Sequence, residues 1–418
     1  MDNYSIRKNL ESDVVVIGGG TAGVFAAISS AMCGAKTLLI EKNSMLGGTV
    51  TVANVNYPGL FFAWGKQIIS GPCFEAIKRT AELGGAKIPV IQFKPEHHWD
   101  EQIKLNRFIY TAVITQMCVE SGVYLVLNSM ISDIIEHENG VKILFTDKEG
   151  LCEIRCKNVI DTSGDATAVA LAGYNTVKSI KQQPATLQNT ISGYNKNKDY
   201  TAYITKNMSN FDLPDYITAE KLQSYLKTGE INYHILSVDA HTSYGKTQVE
   251  INALKLLLDI YKLFHTIPGL EDLRIDFIAE ETGIRETVRI IGEETVTKDD
   301  YLAGRLYKDS VCYSFYPVDL HVDEGYINNF LAENVVPKIP FGALIPKDSK
   351  HIIAAGRCIS SDVLANSAIR VQATCMATGQ VAGCAVALAC KNNILIRNID
   401  YDLLCRQLEK IGAIIPKE

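Results

Sequence analysis

The clearest chemical signal lies near the N-terminus, where Gly18-Gly19-Gly20-Thr21-Ala22-Gly23 fits the pattern G-x-G-x-x-G. Each position has a physical task in holding a phosphate. Gly18 permits a tight turn, Gly20 lets a pyrophosphate approach the backbone, and Gly23 lets helix and strand pack closely. A helix opening at Thr21-Ala22 would turn free N–H groups and a positive dipole end toward that anion. Glu41 follows about 20 residues on, at the end of the next apolar run, where a carboxylate accepts hydrogen bonds from ribose hydroxyls. Together these predict a bound dinucleotide. Further along, Arg285, Thr287 and Arg289 alternate, and on a strand the two arginines would share a face about 13 Å apart. Such a face suits a carboxylate-bearing substrate; salt bridges to Glu280, Glu281, Glu293 or Glu294 are the equal alternative. His321, with Asp319 two residues before it and Tyr316 nearby, is a candidate base or half of a structural pair.

The elements that must position these groups are legible in outline. Residues 13–17 are a short β-branched run suited to a strand buried on both faces. Ala22 to Cys33 reads as a tightly packed helix and Lys36 to Ile40 as the next strand, giving a βαβ unit. Apolar spacing predicts a helix over 100–121, stopped by Gly122. From 123 to 159, strand-like stretches alternate with turn signals at Glu138-Asn139-Gly140 and Asp147 to Gly150, as in a β-meander. Val159 to Asp161 is a further buried strand. Residues 183–232 are polar without a clean period and read as loops or short elements of a second domain. Helix resumes over 251–264, strand over 284–291 and 351–355, and a long small-residue helix over 370–388.

The 418 residues exceed what one core usually serves, so two domains are expected. A net charge of -6 gives no reason to bind nucleic acid or an anionic membrane. Two uncharged runs, Val14–Ala35 and Val371–Cys390, are long enough to span a bilayer. Their glycines and polar residues, without basic flanks, point instead to buried elements. The eleven cysteines lie mostly in apolar stretches, as reduced thiols of a cytoplasmic protein do, and the charged start predicts no secretory leader. No His/Cys spacing matches a metal ligand set. No C-x-x-C appears, which disfavours a redox disulfide, and no second dinucleotide fingerprint follows a strand. His97-His98 reads as a surface or packing feature.

Beyond Glu41, the run Lys42-Asn43-Ser44-Met45-Leu46-Gly47-Gly48-Thr49 resembles the stretch after the second strand in FAD enzymes of the glutathione-reductase-like fold. Asp161-Thr162-Ser163-Gly164-Asp165 resembles the strand end that returns to the nucleotide there. Ala355-Gly356-Arg357 is similar to the C-terminal motif beside pyrophosphate and ribitol. With Thr282 to Arg289, Tyr316 to His321 and Arg370 to Gln380, the chain resembles the bacterial FAD-dependent oxidoreductases distantly related to succinate dehydrogenase flavoproteins. The resemblance implies an α/β fold: a Rossmann-like FAD-binding domain of parallel sheet plus β-meander, with an inserted α+β substrate domain. The first would comprise 10–56, 100–175 and 340–418, the second 57–99 and 176–339. Implied FAD contacts are Gly18, Gly20, Thr21, Ala22, Gly23, Glu41, Lys42, Gly47, Gly48, Thr49, Ile131, Ser163, Gly164, Asp165, Gly356, Arg357, Gln372 and Ala373. Arg357 is placed against phosphate, and the helix near Arg370 aims its positive end at the flavin, making Arg370 a third catalytic candidate beside Arg285 and His321. The expected activity is hydride transfer between flavin N5 and a small organic substrate, with the electron acceptor open and a homo-oligomer possible. A non-redox dinucleotide-binding protein and a flavin monooxygenase are the alternatives.

Overall fold

The computed structural model of the chain describes residues 5–94, 98–236, 239–322 and 325–417. His97 lies outside them. The β-branched run at the N-terminus forms the strand Val14–Ile17, with every residue buried. It is the centre of a five-stranded parallel sheet in the order Ile352–Ala354, Asn158–Asp161, Val14–Ile17, Thr37–Ile40, Tyr124–Val126. The two ends of the chain thus build one sheet, as a doubly covered parallel sheet requires of strands apolar on both faces.

One face is covered by the helices Thr21–Met32 and Gln372–Asn392, which approach so closely that only small residues fit. A Cβ on Gly379 would fall 2.2 Å from the carbonyl oxygen of Ala22, and one on Gly383 the same distance from that of Ala26. The long helix is apolar enough to cross a membrane by length and composition, yet 94% of its most apolar window is buried inside the protein. The other face is covered by the meander Met130–His137, Gly140–Asp147 and Gly150–Cys156. Lys8–Glu11 adds a parallel fourth strand to it, in a segment too polar and short to be read as one.

Four expectations change. The helix expected over 100–121 begins only at Arg107, because Asn106 caps it by accepting the N–H groups of Phe108 and Ile109. The segment 183–232 is not mainly loop. Ala185–Ser192 is the central strand of an antiparallel sheet between Glu230–Ile235 and Arg274–Ile278. That sheet lies under the helix Ser243–His265, which starts well before the expected 251 at its Thr242 cap. Its core draws on residues between Ala185 and Ala279 alone. Residues 72–84, in the 57–99 segment expected in the second domain, form the helix Pro72–Gly84, which instead shares the first core with helices Thr21–Met32, Arg107–Glu120 and Gln372–Asn392.

Arg107 joins the two cores. It is buried, donates to both oxygens of Glu280 at 2.6 and 3.0 Å and to the Thr51 carbonyl at 2.7 Å, and lies 4.0 Å over the Phe277 ring. A guanidinium satisfied on its edge and stacked on its face is well suited to such a joint.

Candidate active site

The four motif segments meet at the carboxyl edge of the parallel sheet. Gly18 turns with φ +97, and its N–H donates to Ile40. A Cβ on Gly23 would sit 1.8 Å from the Gly18 carbonyl oxygen, so this glycine is fixed by helix–strand packing. Gly20 differs: the nearest atom to a Cβ there is the Gly48 Cα at 3.9 Å. Gly47 and Gly48 have φ of +106 and +53, and Gly47 donates to the Gly19 carbonyl at 2.8 Å. The two glycine segments therefore run side by side, and a Cβ on Gly48 would fall 2.8 Å from the Gly20 Cα. Thr21 closes the turn with a contact to the Gly47 carbonyl, and Thr49 lies in the short helical turn Gly48–Val50. Ala22 is pressed between Gly356 and Gly379.

Glu41 is buried at the rim, accepting N–H groups from Gly19 at 2.6 Å and Asn43 at 2.8 Å. Burial raises its carboxyl above the ordinary value, opposed by those two backbone donors. Each oxygen retains a lone pair for a ribose hydroxyl. Ser129 donates its N–H to the Glu41 carbonyl, which brings the strand opening with Met130-Ile131 alongside. Lys42 is directed elsewhere, to Glu281 at 3.4 Å. Glu41→Ala is expected to weaken FAD binding by about tenfold to a hundredfold, the worth of hydrogen bonds to a charged acceptor. Fluorimetric titration of the apoprotein with FAD measures it, and unchanged affinity would refute the assignment.

On the opposite rim, Ser163 donates N–H and hydroxyl to Asp161, which shapes the Gly164-Asp165 turn. Arg357 works there as a clamp. It donates to Gly164 O at 2.8 Å, to Ile284 O at 2.5 Å and to Asp165 at 2.5 Å. Thr287 adds a 2.8 Å bond to the same aspartate. The guanidinium expected on phosphate thus first fixes the turn that flanks it. Gly356 donates to Thr378 from a φ of +89.

The helix Gln372–Asn392 begins at Val371 with no side-chain cap. Its first residues, Gln372 and Ala373, are buried, so its leading N–H groups and positive dipole end face inward. Gln372 donates to Val55 O at 2.6 Å while its own carbonyl oxygen is buried without a partner. Backbone bared by adjoining glycines, a buried carboxylate at one end and an uncapped helix start at the other fit a bound FAD.

Beside that helix start is a cluster of charges. Arg370 sits between the helices Val363–Ile369 and Gln372–Asn392, donating to Gln183 at 3.2 Å and to the Asp319 carbonyl at 3.3 Å, with its Nε buried and unpaired. Asp319 and His321 share a face of the strand Val318–Val322, as expected, with His321 Nε2 3.1 Å from Asp319 Oδ2. Burial alone would raise the Asp319 carboxyl, but the His321 hydrogen bond and the fields of His321, Arg370 and Arg285 hold it below its ordinary value. Burial lowers His321 despite that bond, so its ring is neutral at pH 7. An ionised Asp319 only accepts, which assigns the proton to Nε2 and leaves Nδ1 a buried, unpaired acceptor.

Arg285 enters from the other side, donating to Pro184 O at 2.7 Å and Thr186 Oγ1 at 2.6 Å. Burial and the neighbouring Arg370 charge lower it to about 9, still a cation at neutral pH. The expected Arg285–Arg289 face does not exist. Only Val288–Ile290 is strand, so Arg285 precedes the strand and the alternation does not link the two arginines. Arg289 is instead buried in a 2.7 Å pair with Glu286, a partner expected on the opposite face. Two residues of the cluster were missed in the sequence. His234 stacks edge-on to His321 with centroids 5.1 Å apart, and Gln183 accepts from both Arg370 and the His321 N–H. Burial first, then Arg285, lowers His234 to about 3, so it too is neutral. All eleven cysteines are free thiols; Cys358 and Cys375 are buried, and burial raises both above their ordinary value.

A Rossmann-like sheet, a meander and this site define a dinucleotide-binding flavoprotein. The chain belongs to the FAD dependent oxidoreductase family, whose profile matches residues 13–408. It is an FAD-dependent enzyme. Among curated relatives, it is 27% identical to a digeranylgeranylglycerophospholipid reductase of Methanothermobacter thermautotrophicus over 164 residues, 38% of this chain and 41% of that protein. It is also 27% identical to a thiamine thiazole synthase of Methanococcus vannielii over 171 residues, 38% of this chain and 59% of that one. With the mitochondrial dihydrolipoyl dehydrogenase of Caenorhabditis elegans it shares 53% identity over 47 residues, 11% of this chain and 9% of that enzyme. The chain thus spans less than two thirds of the length of each. A solved geranylgeranyl bacteriochlorophyll reductase-like protein of Thermoplasma acidophilum superposes with a TM-score of 0.48 at 16% identity, covering 97% of this chain and 84% of that one.

Proposed function

We propose that this enzyme oxidises or reduces a small carboxylate-bearing substrate held by Arg285 and Arg370, with His321 exchanging the proton. One observation carries the reading: two buried guanidinium groups converge on the cluster, and among the described residues neither makes a salt bridge. Of the carboxylates whose fields reach Arg370, Asp319 is engaged by His321 and Glu286 is paired with Arg289. With both histidines neutral, the cluster carries a net positive charge of about one, which an anionic substrate neutralises. Bound FAD supplies the two-electron acceptor or donor. The chain's own groups bind and orient the anion, exclude water and hold the proton at His321 Nδ1.

The test is anaerobic mixing of purified holoprotein with a panel of small carboxylic acids, following the flavin absorbance. At least one acid is expected to bleach it. With that acid, Arg285→Ala is expected to raise KM by about a hundredfold and to affect kcat less, since truncating one partner of a buried charge pair costs about 2–5 kcal/mol. Bleaching by neutral compounds alone, or an unchanged KM in the variant, would overturn the reading.

A further inference from the structure

The antiparallel sheet of the second core presents one face to helix Ser243–His265 and the other to the FAD-binding domain. Three contacts fix that second face. Thr186 accepts from Arg285, the His234 ring meets His321, and Phe277 lies under Arg107. Register then sets Thr186 opposite His234, Gln188 opposite Asn232 and Thr190 opposite Glu230, all on this same face. At the far end, Lys104 closes the gap with a 2.6 Å ion pair to Glu230 and lies 5.2 Å over the Tyr57 ring. Between that pair and Arg285, the side-chain amides of Gln188 and Asn232 make no hydrogen bond among the described residues. They stand one rung, about 7 Å, along the strand from Thr186 and the arginine it binds.

Each of these amides offers two N–H donors and a carbonyl acceptor. An apolar chain laid beside them would leave both desolvated and unpaired, whereas hydroxyl groups can donate to one and accept from the other. We propose that the substrate is a hydroxylated carboxylic acid of sugar-acid size. Its carboxylate lies at Arg285 and Arg370, and Gln188 and Asn232 read hydroxyl groups along its chain. This rests on the anion-binding reading above and adds the identity of the rest of the molecule.

Calorimetric titration of the holoprotein separates the two claims. The probes are a set of pentonates and hexonates of differing stereochemistry, with hexanoate as the acid of similar length that lacks hydroxyl groups. The tightest hydroxylated acid is expected to bind at least about tenfold tighter than hexanoate, because a site built for hydroxyl groups rejects an analogue lacking them. The double variant Gln188→Leu, Asn232→Leu is expected to erase that preference, while Arg285→Ala weakens both kinds of acid alike. Asn232 is exposed, so Asn232→Leu alone keeps the fold and is expected to lower the preference severalfold. Hexanoate binding as tightly as every hydroxylated acid, or a preference that survives both variants, overturns the proposal and leaves the anion site standing. If no acid binds and Arg285→Ala changes nothing, the anion site falls and this proposal with it.

Discussion

Gly23→Ala is expected to abolish the folded FAD-binding domain, whereas Gly20→Ala is expected to leave it folded and unable to retain FAD. The two glycines stand three residues apart in one motif, and the surrounding atoms separate their roles. At Gly23 a methyl group would lie 1.8 Å from the Gly18 carbonyl oxygen and 2.5 Å from Thr162 Oγ1. The first is backbone on the strand turn. The second donates to both Ile17 and Gly18 and cannot swing away without releasing them. Relief requires moving helix Thr21–Met32 off the sheet, and that helix also carries the crossing with Gln372–Asn392. Ordinary overpacking costs about 1–3 kcal/mol. Separating two packed layers costs several times that, against a total stability of about 5–15 kcal/mol. At Gly20, φ is -75, which alanine adopts freely, and the only neighbour within contact range is Gly48 at 3.9 Å. A methyl group there makes only an ordinary van der Waals contact in the apoprotein, yet it would cover the backbone that a pyrophosphate must approach. Thermal melting of the two apoproteins and FAD titration of each decide the matter. Gly20→Ala should melt with the wild-type apoprotein and bind FAD about a hundredfold more weakly. Wild-type affinity in Gly20→Ala, or a wild-type melt in Gly23→Ala, would contradict the assignments.

This contrast explains why the cofactor half was legible in sequence. The tasks of Gly18, Gly20, Gly23, Glu41 and the Gly47-Gly48 pair follow from sterics over short stretches, and the strands between them are apolar on both faces. The substrate half obeys longer-range rules. Ala185–Ser192 alternates, but Asn189 stands among Ala185, Leu187 and Ile191 on the buried face and blurs the period. The strand was therefore hidden, and with it His234 on its partner. Arg285 and Arg289 illustrate the same limit. Their spacing fits a strand, and only the pairing of Glu286 with Arg289 shows that the chain turns there, sending one arginine to the site and the other into the protein. The segment 57–99 was placed in the second domain, yet its helix Pro72–Gly84 covers the first core, since nothing local tells which core an amphipathic helix will cover.

His321→Asn is expected to slow flavin bleaching by about 10²–10⁴-fold, the usual worth of a positioned base, while changing KM little. The ring is prepared for that task from both ends. Its Nε2–H is held by Asp319, and its Nδ1 is a buried acceptor with no partner. Burial lowers it from the ordinary value of 6.5, so the neutral, proton-accepting form dominates at pH 7. The sign follows directly. Below its folded value the ring is protonated and cannot accept, so the rate should rise with pH through a midpoint below 6.5 and be level at neutral pH. Asp319→Asn removes a negative charge that raises His321 and would stabilise the imidazolium formed as the proton arrives. Two changes are expected together: the plateau rate falls, and the midpoint moves to still lower pH. A merely structural Asp319–His321 pair would alter the melting temperature without moving that midpoint. Stopped-flow bleaching across pH 4–8, about the span over which an imidazole titrates, distinguishes them. A His321→Asn enzyme that keeps its rate, or an Asp319→Asn midpoint that rises, would remove His321 from the chemistry and leave the arginines as an anion site alone.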